Sequence, residues 1–199
     1  MIAVLAAAFF VQSVQNEFFP TTPGIVRRYE DTAFPKAVLA MRVDDPVLIN
    51  GAMAIPVATI KDDYRLATVF YRVTADEVAI VGYDSAKPLP EPRIVFHIGK
   101  DVHSKGETTF MARPMSIIVD GESHLGGKRK VLGKDVDVLL VTLNAQVGKS
   151  MEDGFLSKQE MVFAKGIGLV EMKETVNAVG SIQSHTQKLK SYSARESGS

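Results

Sequence analysis

The sequence contains no cysteine. That absence excludes disulfides, thiolate metal sites, a cysteine nucleophile and, within these residues, the lipidated cysteine of an exported lipoprotein. Tryptophan is also missing, so a sugar-stacking platform would have to be built from Tyr or Phe. Net charge is missing as well, because 23 Lys and Arg balance 23 Asp and Glu. The chain therefore has no overall field to attract nucleic acid or anionic lipid, and only a local patch could do so. No nucleic-acid partner is expected. No apolar run reaches the ~20 residues that a helix needs to cross a bilayer, so no transmembrane span is expected either.

What is present is an ordinary globular composition, 46% hydrophobic and 23% charged over 199 residues, enough for one domain with a substantial core. Residues 159–172 draw attention first, because two apolar runs meet there at Gly166-Ile167-Gly168. A phosphate-cradling turn would need a helix starting just after Gly168, with its amides and dipole facing the anion. The dinucleotide fingerprint also needs a third glycine, and Glu171 stands in that place with a charge that would repel a pyrophosphate. The glycines read instead as relieving a bulge, or admitting a close backbone approach, where one strand ends and the next begins. Helix-forming residues at 171–174 keep a helix as the alternative.

Residues 1–14 form an uncharged apolar block followed by Gln15, Asn16 and Glu17. The length suits a signal-peptide core, so residues 1–15 are expected to be removed on export to the periplasm or cell envelope. A start further upstream would supply the basic residues that the block lacks. The rival reading is a first buried helix or strand. Pro20, Pro23 and Gly24 then mark a turn-rich loop. Residues 18–192 read as a single β-rich domain, and 193–199 as a flexible tail without apolar anchors.

Strand-like runs recur between turn signals at 25–31, 38–43, 52–60, 64–74, 78–83, 93–98, 107–113, 115–119, 128–132, 134–147, 155–164, 167–176 and 185–192. This spacing, without βαβ alternation, predicts an all-β, mainly antiparallel fold: a curved sheet, half-barrel or β-roll meander with few short helices. Asp44-Asp45-Pro46, Asp120-Gly121 and Gly126-Gly127 are expected turns. Pro56 points to an edge position for 52–60. The stretch 84–92, with three prolines, is expected to be a loop over one end of the sheet. The segment 134–147 alternates Asp with Val and then turns almost wholly apolar, which predicts a strand half exposed at its start and buried on both faces further on.

The start Phe18-Phe19-Pro20-Thr21-Thr22-Pro23-Gly24, with Tyr29 after it, resembles the opening of exported bacterial β proteins of unknown function, a TapB-like group. The likeness continues through 128–141 to Phe163-Ala164-Lys165-Gly166-Ile167-Gly168-Leu169-Val170, which is similar to the group's closing strand pair. Arg27 and Arg28 depart from it, standing where the group has an aromatic residue. The resemblance implies an envelope-located antiparallel fold with no catalytic residues to carry over.

Candidate chemistry is sparse. His97, His103, His124 and His185 show no ligand-like spacing, which favours scattered surface or turn histidines over a metal site. No Gly-x-Ser-x-Gly elbow is present, and no cofactor is expected. Phe96, Phe110, Met111, Met115 and Met161 lie on predicted strands. Core packing is their ordinary role, and lining an apolar cavity in a curved sheet is the functional alternative. The expectation is an exported binding or interaction module without catalysis, its partner an envelope component or an apolar small molecule. A carrier of lipid within the curved sheet is the alternative.

Overall fold

The computed structural model describes residues 15–110, 113–148, 154–178 and 181–193. The apolar block 1–14 and residues 194–199 of the expected tail lie outside them. The described chain folds into thirteen strands. The first seven are β1 (Val26–Asp31), β2 (Leu39–Val43), β3 (Val47–Ile49), β4 (Ala52–Lys61), β5 (Tyr64–Val73), β6 (Glu77–Gly82) and β7 (Pro88–His97). The last six are β8 (Val102–Phe110), β9 (Arg113–Val131), β10 (Lys134–Val147), β11 (Phe155–Ala164), β12 (Gly168–Ala178) and β13 (Ser181–Ser193). No helix among the described residues is long and apolar enough to cross a membrane.

All pairings are antiparallel, in the order β7-β6-β5-β4-β2-β1-β13-β12-β11-β10-β9-β8, with β3 pairing β4 off that path. This is an up-and-down meander whose first and last strands join, so the sheet curves into a nearly closed barrel. The predicted all-β, curved antiparallel fold is the one observed. Its one seam lies between β7 and β8. Side chains reach across from β7 where a ladder is missing: the Arg93 guanidinium donates to the Glu107 carbonyl of β8, and past the end of β8 Ser123 Oγ of β9 donates to the His97 carbonyl at 2.6 Å.

Three tight hairpins have positive φ at both central residues, the backbone that matches strand twist. They are Asn50-Gly51 (φ 52° and 76°), Asp62-Asp63 (47° and 69°) and Leu132-Gly133 (48° and 82°). Asn and Asp tolerate this region, whereas leucine clashes with its own backbone there.

Several expectations need correction, each for a local reason. Gly126-Gly127 is a bulge inside β9 and not a turn: Asp137 faces Lys128 while Leu139 faces Leu125, leaving two β9 residues against one. A Cβ at Gly126 would lie 2.7 Å from Leu140 Cγ, so a glycine is needed for contact with β10. Gly121 likewise lies mid-strand, where a Cβ would meet Leu143 Cδ2 at 2.4 Å. The expected strands 115–119 and 128–132 are therefore one long strand. Residues 99–106, expected between strands, supply the start of β8.

Pro56 is not on an edge. β4 has neighbours on both sides, and Pro56 sits opposite the Asp44-Asp45-Pro46 break, between the part of β4 that pairs β3 and the part that pairs β2. The 84–92 loop shrinks to a turn, because β7 starts at Pro88. Its prolines are tolerated because β7 lines the seam and bulges: Gly82 faces Pro88, but Ile80 already faces Arg93. Residues 171–174 are strand, which removes the helix alternative.

The main core gathers Phe18, Val78, Phe96, Leu139, Val141, Met161 and Phe163, with the Phe96 and Phe163 rings 5.0 Å apart and tilted. Leu139 and Val141 face this cluster, while Val138 and Leu140 pack with Ala164, Val170 and Val162 on the other face of the strand. β10 is exposed at Lys134 and Asp135 and buried from Val138 to Leu139, as its sequence pattern predicts. Leu132 belongs to neither cluster, and Leu132→Asn is expected to raise stability by about 0.5–1 kcal/mol by relieving the left-handed turn position. Urea unfolding of the two proteins measures the difference.

Candidate functional site

The end of the barrel where β11 turns into β12 is crossed by the segment 15–24. Asn16 is only 2% exposed. Its amide donates to the carbonyls of Thr74 (3.1 Å) and Ala75 (3.2 Å), and its Oδ1 accepts from the Phe18 N–H at 3.0 Å. Every polar atom of this buried side chain is thus partnered, which avoids a desolvation cost of about 1–3 kcal/mol per orphaned group. Phe18 enters the core, and the Glu17 carbonyl accepts from Gly166 N–H at 2.8 Å. Glu17 also pairs with Lys165 at 2.6 Å. Gly24 N–H reaches the Val43 carbonyl at 2.8 Å, which fastens the far end of the segment to β2. The chain is a strap tied to three separate turns and strands.

Arg27 locks the strap from below. It is 5% exposed, and its guanidinium donates to the carbonyls of Ile167 and Pro20. Among the described residues it has no carboxylate partner. Burial lowers its pKa below the ordinary arginine value, against the opposing influence of Tyr29 and then Tyr192. Gly168 makes room for it: a Cβ there would sit 2.8 Å from Arg27 Nε, and φ is +95°. Gly166 (φ +73°) has open space around its Cβ position and serves the three-residue turn. Gly-x-Gly thus serves strand geometry, with a bulge beside it where Val162 faces Glu171 and Phe163 faces Leu169. A phosphate turn is excluded here because the chain after Gly168 is strand and has no helix dipole.

Between the strap and the sheet lies an open cleft of about 530 Å³. Pro20, Pro23, Ile25, Pro46, Ile55 and Tyr192 give it apolar walls, and Gln15, Thr21 and Thr22 a polar rim. A cavity of this size suits a small molecule or one side of a peptide.

Elsewhere, two partly or fully buried carboxylates are held by hydrogen bonds. Glu174 accepts from Ser157 Oγ (3.0 Å) and Gln159 Nε2 (2.9 Å) on one oxygen and faces His185 Nε2 at 3.7 Å on the other. A nucleophilic triad needs the histidine between serine and acid, and here the acid lies between them. Asp31, buried on β1, accepts from Ala33 N–H and Gln187 Nε2, both at 2.7 Å. His103 pairs with Asp120 at 2.6 Å in the open, and among the described residues no three metal-ligating side chains come together.

The candidate cavity residues scatter. Phe96 and Met161 pack into the main cluster, and Met115 is half-buried near the other end of β9, opposite Thr108. Phe110 ends β8, while its side chain and all of Met111 lie outside the description. Asn16 and Arg27 were invisible as strap residues. The first looked like the flank of a signal segment, and the second, with Arg28, only like a departure from the family resemblance. The usable signal was alternation, since Arg27 shares its face of β1 with Tyr29 and Asp31.

Two predictions test this construction. Gly168→Ala should cost about 1–3 kcal/mol through strain and collision with Arg27, whereas Gly166→Asn should be nearly neutral; urea unfolding distinguishes them. The phenols of Tyr29 and Tyr71 are raised above the ordinary tyrosine value chiefly by burial, and Tyr29 donates to the Leu169 carbonyl at 2.9 Å. Each binds its proton more tightly folded than unfolded, so its contribution holds up to about pH 10, the unfolded value, and is lost as pH rises further. The urea midpoint should fall above that pH, and less steeply in Tyr71→Phe.

No family model matches the chain, and no curated protein matches its sequence. The fold is similar to that of a candidate lipoprotein from Parabacteroides distasonis ATCC 8503, with a TM-score of 0.56 and 10% identity, covering 89% of this chain and 99% of that one. It is also similar to a candidate exported protein with a YmcC-like fold from Bacteroides fragilis NCTC 9343, with a TM-score of 0.45 and 13% identity over 90% of this chain and 100% of the other. The first likeness establishes a shared antiparallel β architecture.

Proposed function

We propose that this chain is an exported, non-catalytic binding module of the periplasm or cell envelope, which takes the apolar part of a small molecule or envelope partner into the cleft under its N-terminal strap. The observation that carries this is the cleft itself: apolar walls of proline, isoleucine and tyrosine beneath a rim of hydrogen-bonding groups, the usual composition of a binding pocket. Export is supported by the apolar block 1–14, which ends where the strap begins, and by the TapB-like resemblance. The fold neighbour from Parabacteroides distasonis is itself called a candidate lipoprotein. A lipid carrier would place its ligand against Phe96 and Met161 instead; these pack against Phe163 and its neighbours in the core, which favours the cleft.

Native mass spectrometry of protein purified from its own cells tests the reading. A noncovalent adduct is expected, retained in Phe96→Leu and lost in Ile55→Asp, which puts a charge into the cleft wall. A bare mass for the wild type, or an adduct that survives Ile55→Asp, overturns the site. The mature N-terminus should fall close to Gln15, and intact Met1 in the cytosol would overturn export.

A further inference from the structure

The β9–β10 hairpin departs from the rest of the barrel in three ways that converge on its tip. First, it outruns its neighbours. β8 pairs β9 only as far as Gly121, Ser123 then bonds the His97 carbonyl of β7, and β11 pairs β10 only from Val138, so residues 128–137 pair only with each other. Second, the tip concentrates positive charge in a chain with none overall. Lys128, Arg129, Lys130 and Lys134 are all exposed, and none of them forms an ion pair among the described residues. Asp137 and Asp135 stand opposite Lys128 and Lys130, so four cations against two carboxylates leave the tip at +2. Third, its apex is Leu132, 47% exposed and held at φ 48°. An apolar side chain stands there at a cost in backbone strain where Asn would fit without it, and strain of this kind at an exposed point is a pointer to function.

The tip also sits at the end of the barrel where the strap begins. Lys165 N–H donates to the Asp137 carbonyl at 2.9 Å, and the next residue, Gly166, donates to the Glu17 carbonyl at 2.8 Å. The hairpin, the turn after β11 and the start of the strap therefore form one continuous end of the molecule.

We propose that this tip is a contact site for an anionic lipid surface, with Leu132 entering the headgroup layer and Lys128, Arg129, Lys130 and Lys134 taking lipid phosphates. A basic ring around an apolar point is the chemistry of interfacial docking, in which buried apolar area and attraction to anionic headgroups add. A soluble polyanion would engage the cations equally well but would have no use for the leucine. The inference is independent of the cleft, because it concerns different residues and a different partner.

Flotation of the full chain with vesicles tests it, using phosphatidylcholine alone and phosphatidylcholine mixed with phosphatidylglycerol. Tighter binding to the mixed vesicles is expected, weakening as salt screens the charges. The triple change Lys128→Gln, Arg129→Gln, Lys130→Gln should reduce that binding on the order of 100-fold. Leu132→Asn should reduce it about tenfold although it stabilises the fold, so unfolding cannot account for the loss. Equal flotation with both vesicle types, or an unaffected triple variant, overturns the proposal. So does unchanged binding by Leu132→Asn, with or without competition by inorganic polyphosphate, since that outcome describes a polyanion site.

Discussion

The ladder between β1 and β13 is what makes two meanders one sheet. The first seven strands form one meander and the last six another, and among the described residues no hydrogen-bonded ladder crosses the seam from β7 to β8. The two halves therefore meet as sheet only where Val26–Asp31 pairs with the end of β13, a contact of six register pairs interrupted by a bulge. Closing so long a loop costs entropy that grows with the logarithm of its length, and the ladder alone is short recompense. The structure reinforces the join from the same strand: Arg27 reaches Ile167, Tyr29 reaches Leu169, and Asp31 holds Gln187. Each bond runs from β1 into the second half of the chain.

That reinforcement explains an inversion in β1. An ordinary strand turns its apolar residues inward, yet here Arg27, Tyr29 and Asp31 are buried while Arg28 and Glu30 are exposed. The inward residues are polar because their work is to hydrogen-bond across the join, and each has partners that offset its desolvation. Gly168 fits the same scheme. Its missing side chain lets the Arg27 guanidinium lie against the backbone, and the strap closes over both.

Most of the fold could be read from the sequence, and the failures have physical causes. Strand runs, the antiparallel class, the two-faced burial of β10 and the structural role of Gly166 and Gly168 all follow from alternation and turn chemistry. Glycine turn signals misled where they served packing within a strand, as at Gly121 and Gly126, because a residue without a side chain signals a turn and a close approach alike. Prolines misled where a strand was broken or bulged, at Pro56 and along β7. The strap and the cleft were illegible because they depend on Asn16, Arg27 and Tyr192 meeting across the whole length of the chain. The basic hairpin tip was open as a local patch, but only the pairing of β9 with β10 shows that Leu132 crowns it.

The placement of the join also bears on synthesis. β13 is made after the other twelve strands, so the nascent first half must wait with two bare strand edges, β7 and β1, each a template for pairing with another chain. Pro88, Pro90 and Pro92 withhold backbone donors along β7. On β1, the inward Arg27 and Asp31 make a stranger's apolar strand an unwelcome neighbour until the proper carbonyls and Gln187 arrive. The residues that fasten the finished ring thus also guard the unfinished one.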